Sequence, residues 1–370
     1  MKFFKKYQLR KYNITLAISV ILLSVLGILA VGSALPSAQP KQIIGVVLGV
    51  IVMLVISLFD YEWVLNFYWI IYIVNILLLL CVKFFGVEYN GAQRWIDLKF
   101  TTFQPSDLTK ICLILFFAKF FMNHENRINN PKTILKSVAL VIPSLYLIVT
   151  QPNLSNTICI TLVFVSLIFI AGISYKLILT VLAIAIPCIA IFLTVAVMPN
   201  QPFLKDYQQE RILAWLHPEE HSTSTGYQQQ NSIIAIGSGQ LSGKGLNNNT
   251  TTSVKNGNFL LEAETDFIFA IVGEELGFVG CCIVIFLILL IIIQCIIIGM
   301  RAQNLAGQII CGGMAALIGI QSFINMGVAT GILPNTGLSL PFVSSGLTSI
   351  ICYFIGIGFV LNVSLQPKKY

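Results

Sequence analysis

The sequence predicts an all-α polytopic membrane protein: ten transmembrane helices, with a long extracellular loop between helices 7 and 8. Three observations carry that expectation. Of 370 residues, 56% are hydrophobic and only 10% charged, whereas soluble domains average roughly 25% charged. The mean hydropathy is +0.87. Apolar runs recur along the whole chain, and about 20 apolar residues are enough for a helix to cross a bilayer. Residues 1–370 therefore read as a single integral membrane domain, with the large loop, 198–262, inside it.

The expected spans cover residues 14–32, 42–59, 63–85, 106–122, 134–150, 156–173, 175–197, 266–299, 304–328 and 345–364. The first is long enough to span and only more spans follow it, so it reads as an anchor and not as a cleaved signal. The fourth is entered through Pro105, a residue favoured at the first turn of a helix. The fourth, fifth and sixth are short, which implies little tilt or an extension into the interface. The eighth is long. Gly273 and Gly277 flank Glu274 and Glu275 there, so Asp266 to Gly277 reads as a separate interfacial turn or half-helix.

Lysine and arginine set the expected orientation. Lys2, Lys5, Lys6, Arg10 and Lys11 precede the first span. The loops and span ends on that same side hold Lys119, Arg127, Lys132, Lys136, Lys176, Arg301, Lys368 and Lys369. Both termini are therefore expected in the cytoplasm and loop 198–262 outside. The net charge of +7 suits this asymmetry and contact with anionic membrane lipid, not nucleic acid. The nine cysteines lie in or near apolar runs and read as packing residues, not as a disulfide framework. No Cys/His cluster has metal-ligand spacing.

Asp266 is the foremost candidate for chemistry. It stands where the long polar loop meets the eighth span, and an ionisable group near the membrane core is costly enough to suggest function. The alternative is a helix cap, with Thr265 or Asp266 satisfying the first free N–H groups. Asp107 and Lys110 are three apart on one helix face, which fits either a structural ion pair or a lysine offered to a phosphate. Trp95 fits an interfacial aromatic belt. Within loop 198–262, Tyr207 to Trp215 looks amphipathic and contains Arg211. Gly237, Gly239, Gly243 and Gly245 surround Lys244 in a turn that is either an anion nest or a plain surface turn. The Pro- and Gly-rich run Gly331 to Gly346 is irregular backbone beside a span, tolerated at membrane depth only if it is buried in protein or lines a cavity.

These residues resemble the SEDS family, the shape, elongation, division and sporulation proteins that include RodA and FtsW. The resemblance runs through Gly91-Ala-Gln-Arg-Trp-Ile, Phe103-Gln-Pro-Ser-Asp with Lys110, and Gln151-Pro-Asn-Leu. It continues through Gly226-Tyr-Gln, Ser232-Ile-Ile-Ala-Ile-Gly-Ser-Gly and Gly243-Lys-Gly, then Thr265-Asp-Phe-Ile-Phe-Ala, Gly273-Glu-Glu-Leu-Gly and Leu333-Pro-Asn-Thr-Gly-Leu-Ser-Leu-Pro-Phe. The compact length and the stretch ending in Gly243-Lys-Gly are more similar to RodA. The resemblance implies a peptidoglycan glycosyltransferase of the bacterial cytoplasmic membrane. It would polymerise lipid II into glycan strands at the outer leaflet and release undecaprenyl pyrophosphate. It also implies a class B penicillin-binding protein as crosslinking partner, and it puts the family's essential extracellular aspartate on Asp266.

The sequence departs from the family pattern at three places. Asn153 and Ser155 stand where an acid and a glycine are usual, Ser345-Gly-Leu-Thr-Ser replaces a Tyr-Gly-Gly-Ser-Ser run, and Glu264 replaces a histidine. In the implied chemistry an α-linked donor gives a β-1,4 product, so the transfer inverts and needs a base for the acceptor hydroxyl. Asp266 takes that role. Trp95, Lys110, Arg211, Lys244 and Glu275 are the substrate-binding candidates, the cations offsetting the leaving pyrophosphate and Glu264 or Glu275 raising the proton affinity of Asp266. No cofactor is evident; a divalent cation could share the charge, although no ligand set is readable. The competing readings are a lipid II flippase, or a non-catalytic scaffold for the crosslinking partner.

Overall fold

The computed structural model describes residues 7–89, 92–97, 99, 102–177, 179, 180, 183, 187, 194, 195, 198, 206–217, 225–247, 260 and 262–368. In chain order the helices are α1 (Ile14–Ala34), α2 (Gln39–Leu58), α3 (Tyr61–Leu65), α4 (Tyr68–Phe85), α5 (Pro105–Asn123), α6 (Pro131–Thr150) and α7 (Leu154–Ile170). After these come α8 (Asp206–Leu216), α9 (Thr225–Ser238), α10 (Ile268–Met300), α11 (Leu305–Ala329) and α12 (Leu347–Leu365). Among the described residues seven of them, α1, α2, α4, α6, α10, α11 and α12, are long and apolar enough to cross a membrane, and α7 is a shorter apolar helix. Helix α5 has spanning length but carries Asp107, Lys110 and Lys119. The expected seventh span, 175–197, lies largely outside the described residues. The chain is a multi-pass membrane protein.

The expected third span is broken in two. Asp60 caps α3 by accepting from the Glu62 N–H at 2.9 Å, and α3 ends at Asn66 before α4 begins. The loop after α4 also departs from an all-helical outline. Strands β1 (Val87–Tyr89), β2 (Ala92–Asp97) and β3 (Thr102–Phe103) form a small antiparallel sheet in the order β1-β2-β3, with Trp95 opposite Val87 and Ile96 opposite Phe103.

Helices α11 and α12 lie at the centre of the bundle. Helix α2 packs along α12, α11 against α5, α7 and α10, and α1 against α10. Large apolar side chains such as Ile18, Leu22, Leu54 and Phe286 face outward, as a bilayer solvent requires. One end of the bundle gathers the chain termini: the Gln8 N–H donates to the Leu365 carbonyl at 3.0 Å and the Lys368 N–H to that of Arg301 at 3.0 Å. The small sheet, α8, α9 and the two irregular runs 262–267 and 330–346 lie at the other end.

Helix α10 is interrupted. Gly277 adopts φ 65°, ψ −163°, a conformation essentially reserved for glycine. A Cβ there would lie 2.7 Å from the Leu241 carbonyl oxygen. The break separates a half-helix, 268–276, from a straight piece of 278–300. The latter is about 35 Å long at 1.5 Å per residue, enough to span. The half-helix expected from Gly273 and Gly277 is therefore present.

Candidate functional site

The run 331–346 is the hub of the end that carries Asp266. It has little regular structure, so its polar backbone groups need partners, and side chains from five other elements supply them. Trp215 of α8 donates its indole N–H to the Gly331 carbonyl at 3.0 Å. Gln229 of α9 donates to Leu333 at 2.7 Å. Ser155 of α7 donates to the Thr336 carbonyl. Gln321 and Asn325, four apart on one face of α11, donate to Ser339 at 3.0 Å and Leu338 at 2.7 Å. Gln42 of α2 donates to Val343 and Ser344. The irregular backbone is thus held by five elements, with Leu338 and 340–344 buried and Ile332 and Gly337 exposed.

The turn 262–267 is clamped to this hub. The Ser344 hydroxyl donates to the Thr265 carbonyl at 2.6 Å, and the Ser345 N–H to that of Glu264 at 2.8 Å. Asn325 donates to the Asp266 carbonyl at 2.8 Å. Neither Thr265 nor Asp266 caps α10. The cap residue is Phe267, without a side-chain bond, and the Thr265 hydroxyl turns back to the Glu262 carbonyl. The capping alternative for Asp266 is therefore set aside. Gly337, at φ 71°, passes beneath the carboxylate; a Cβ there would meet Asp266 Oδ2 at 3.1 Å.

Among the described residues no donor is hydrogen-bonded to the Asp266 carboxylate. Some of its surface stays accessible, and protein surrounds the rest. Burial pushes its carboxyl up to about 7; Glu262 adds to the rise, Arg211 and Arg94 oppose it, and Glu264 adds a further push. Four charges on three separate segments therefore bear on one carboxylate, and the two cations come from β2 and α8. Arg94 is held by the carbonyls of Gln151 and Pro152. On an extended strand its neighbour Trp95 points to the opposite face.

The other candidates lie further off. Lys110 is buried and gives hydrogen bonds to Asp107 Oδ1 at 2.9 Å and Gln321 Oε1 at 3.0 Å. Lys244 pairs with Glu274 at 2.8 Å. The backbone N–H groups of Lys244 and Gly245 donate to the carbonyls of Glu274 and Glu275, so these two N–H groups of the glycine-rich turn cap the half-helix instead of facing an anion. Glu275 accepts from Ser33 of α1, whereas the acids bearing on Asp266 are Glu262 and Glu264. Asn153, at a departure from the family pattern, caps α7 by accepting from the Asn156 N–H. Around the contact of Ser155 with Thr336, four buried polar atoms have no hydrogen-bond partner among the described residues: Asn153 Nδ2, Asn156 Oδ1, Asn335 Oδ1 and Thr336 Oγ1. They could serve a polar ligand. Among the described residues no three His, Cys, Asp or Glu side chains are grouped to hold a metal ion.

The sequence reading passed over Arg94, Glu262, Gln321 and Asn325 as site residues. Arg94 adjoins Trp95 in a quoted motif, and Gln321 and Asn325 are polar residues inside an apolar span, which is itself a signal.

The chain is similar to known proteins over most of its length. The FTSW_RODA_SPOVE family model, described as cell cycle protein, matches residues 9–369. The chain belongs to this family. Its relatives include the peptidoglycan glycosyltransferase MrdB of Escherichia coli (strain K12), 36% identical over 80% of this chain and 78% of that protein. The probable peptidoglycan glycosyltransferase FtsW of Geobacter sulfurreducens is 32% identical over 98% of this chain and 97% of its own. Among solved structures, a chain from work on how a peptidoglycan synthase complex coordinates polymerization and crosslinking matches with TM-score 0.79 and 28% identity, over 95% of this chain and 97% of that one. The Rod shape determining protein RodA of Thermus thermophilus matches with TM-score 0.70 and 24% identity, over 97% and 98%. That last likeness concerns the fold alone.

Proposed function

We propose that this FtsW/RodA/SpoVE family member is a peptidoglycan glycosyltransferase that polymerises lipid II. The observation that carries the reading is the environment of Asp266: a largely enclosed carboxyl of raised proton affinity, on which the charges of Arg211 and Arg94 act. The acceptor's 4-hydroxyl oxygen attacks the donor's anomeric carbon. The bond from that carbon to the pyrophosphate oxygen breaks, its electron pair leaving with undecaprenyl pyrophosphate, and the hydroxyl proton passes to Asp266. Attack opposite the leaving group turns the α linkage into β. A base near pH 7 holds the proton better than an ordinary carboxylate and is still partly ionised at neutral pH. Arg94 and Arg211 offset the charge on the pyrophosphate. Lys110 and Lys244, each already paired with a carboxylate, act by holding the site together.

The flippase alternative needs charged groups along a path through the bundle. Among the described residues the buried charged side chains are Asp107, Lys110, Glu274 and Glu275, and all lie at the Asp266 end. The direct test is to incubate the purified protein with labelled lipid II, with and without a class B penicillin-binding protein of its own cell. Glycan ladders support the reading. Their absence with every such partner sinks it.

In this reading the Asp266 end faces outward from the bacterial cytoplasmic membrane, and both termini are cytoplasmic, as the lysine and arginine asymmetry favours. In a background without the exposed Cys282, a cysteine placed at Ser242 should react with an impermeant reagent in intact cells and one at Asn129 should not. The opposite pattern would invert the topology. The crosslinking partner should co-purify.

A further inference from the structure

At the terminal end, about as far from Asp266 as the bundle allows, a cavity of roughly 690 Å³ opens between the start of α1 and the last turns of α10 and α12. Its wall mixes apolar and cationic side chains with the neutral polar Gln8, Asn13 and Ser364. Ile297, Ile298 and Val363 come from the final turns of spanning helices, and Lys11, Arg301 and Lys368 stand just beyond the helix ends. Among the described residues no carboxylate lines it. The place is held together by backbone pairing: the Lys368 N–H donates to the Arg301 carbonyl, Ala302 bridges Pro367, and the Gln8 N–H donates to Leu365. The three cations are thus mounted on one structured junction and not on loose tails.

We propose that this cavity binds the headgroup phosphate of an anionic phospholipid, with the upper acyl chain against its apolar wall. General accumulation of lysine and arginine on one side of a membrane protein accounts for the sign of the charge. It does not account for three cations around one cavity that also takes Ile297, Ile298 and Val363 from the ends of spanning helices. A neighbouring cavity at the same end makes the contrast. It measures about 450 Å³ and is lined by Asp60 and Glu62 against Lys119, so it holds its own counter-charge. Basic pockets between spanning helices on the inner side are known to take anionic headgroups. A free phosphate would use the cations but not Ile297, Ile298 and Val363, so the mixed wall favours the lipid. The proposal is independent of the chemistry at Asp266.

The test uses the full-length protein in neutral detergent, with bound lipid counted by native mass spectrometry. Phosphatidylglycerol should bind and phosphatidylcholine should not, and millimolar inorganic phosphate should compete poorly. At roughly fivefold per cation, replacing Lys11, Arg301 and Lys368 by Gln should weaken phosphatidylglycerol binding about a hundredfold. The control changes Arg127, Lys132 and Lys136, exposed residues of the same end, to Gln; it removes the same charge and should leave binding within a few-fold of the parent. All six side chains are exposed or at the rim, so both variants should fold, and thermal unfolding in lipid-free detergent checks this. Each single Gln variant should show its own fivefold loss if the triple does not fold. Equal losses in the two triples would reduce the effect to diffuse surface charge and overturn the proposal. Equal binding of the two lipids, or strong competition by inorganic phosphate, would overturn it as well.

Discussion

Asn325 donates its side-chain amide to the main-chain carbonyl of Asp266 at 2.8 Å and, from the same nitrogen, to that of Leu338 at 2.7 Å. One buried residue of α11 therefore ties the turn that carries Asp266 to the run that passes beneath its carboxylate. One turn earlier on the same helix, Gln321 links Lys110 to Ser339. A polar chain thus leads from the start of α5 to the backbone of Asp266.

Replacing Asn325 by Leu leaves two carbonyls without this donor. Each buried group stranded in that way costs about 1–3 kcal/mol. The variant should unfold at a lower temperature and polymerise more slowly, because Asp266 loses its tether. A melting curve unchanged from the parent would show that the tether contributes nothing.

Lys110 and Asp107 form a buried pair, so single and double changes should differ in sense. Lys110→Met strands the carboxylate of Asp107 and should cost about 3–5 kcal/mol. Adding Asp107→Leu removes the stranded charge and should recover most of that loss. Thermal unfolding of the two variants decides it. A double variant no better than the single one would contradict the pairing. Recovered stability without recovered polymerisation would assign Lys110 a direct role beyond structure.

The glycine at 277 supports both the break in α10 and the docking of the turn around Lys244. Gly277→Ala should destabilise the protein by about 1–3 kcal/mol, the usual cost of a sparsely populated backbone conformation. It should also loosen the Lys244–Glu274 contact, read as faster hydrogen exchange at Lys244 and Gly245. Exchange at parental rates would mean that the turn holds without the break.

Much of this was legible in the chain. Hydropathy marked the described spanning helices to within a few residues, because a bilayer demands continuous apolar runs. Gly273 and Gly277 around two glutamates marked the half-helix, and Asp266 stood out as an acid at a span boundary. The convergence around it was not legible. Arg94 and Arg211 act on Asp266 from separate segments, and nothing local in β2 or α8 says where those segments meet. Lys244 and Glu275 were legible as candidates from local sequence alone. They are close in sequence to glycines and acids of interest, and the fold brings them against Glu274 and Ser33.

The raised proton affinity of Asp266 has a consequence for stability. An aspartate with a folded value of about 7 against an ordinary 3.8 is bound to its proton more firmly in the folded state. Between those values the unfolded state holds fewer protons, so the stability of the parent falls as pH rises from about 4 to about 7 and levels off above. Asp266→Asn removes this penalty. The variant should therefore melt above the parent at pH 8, with the advantage shrinking as pH falls through 7 toward 4. An advantage independent of pH would contradict the burial assigned to the carboxyl.

The central claim is that Asp266 is the base. Asn nearly preserves its size but cannot take a proton as a carboxylate does. The decisive measurement is the initial rate of glycan formation from lipid II by Asp266→Asn beside the parent, with folding and lipid II binding checked in the same preparations. Loss of a general base slows a reaction by about 10²–10⁴-fold, so the account expects a rate lower by that factor with binding retained. A variant that builds glycan strands at close to the parental rate would contradict it.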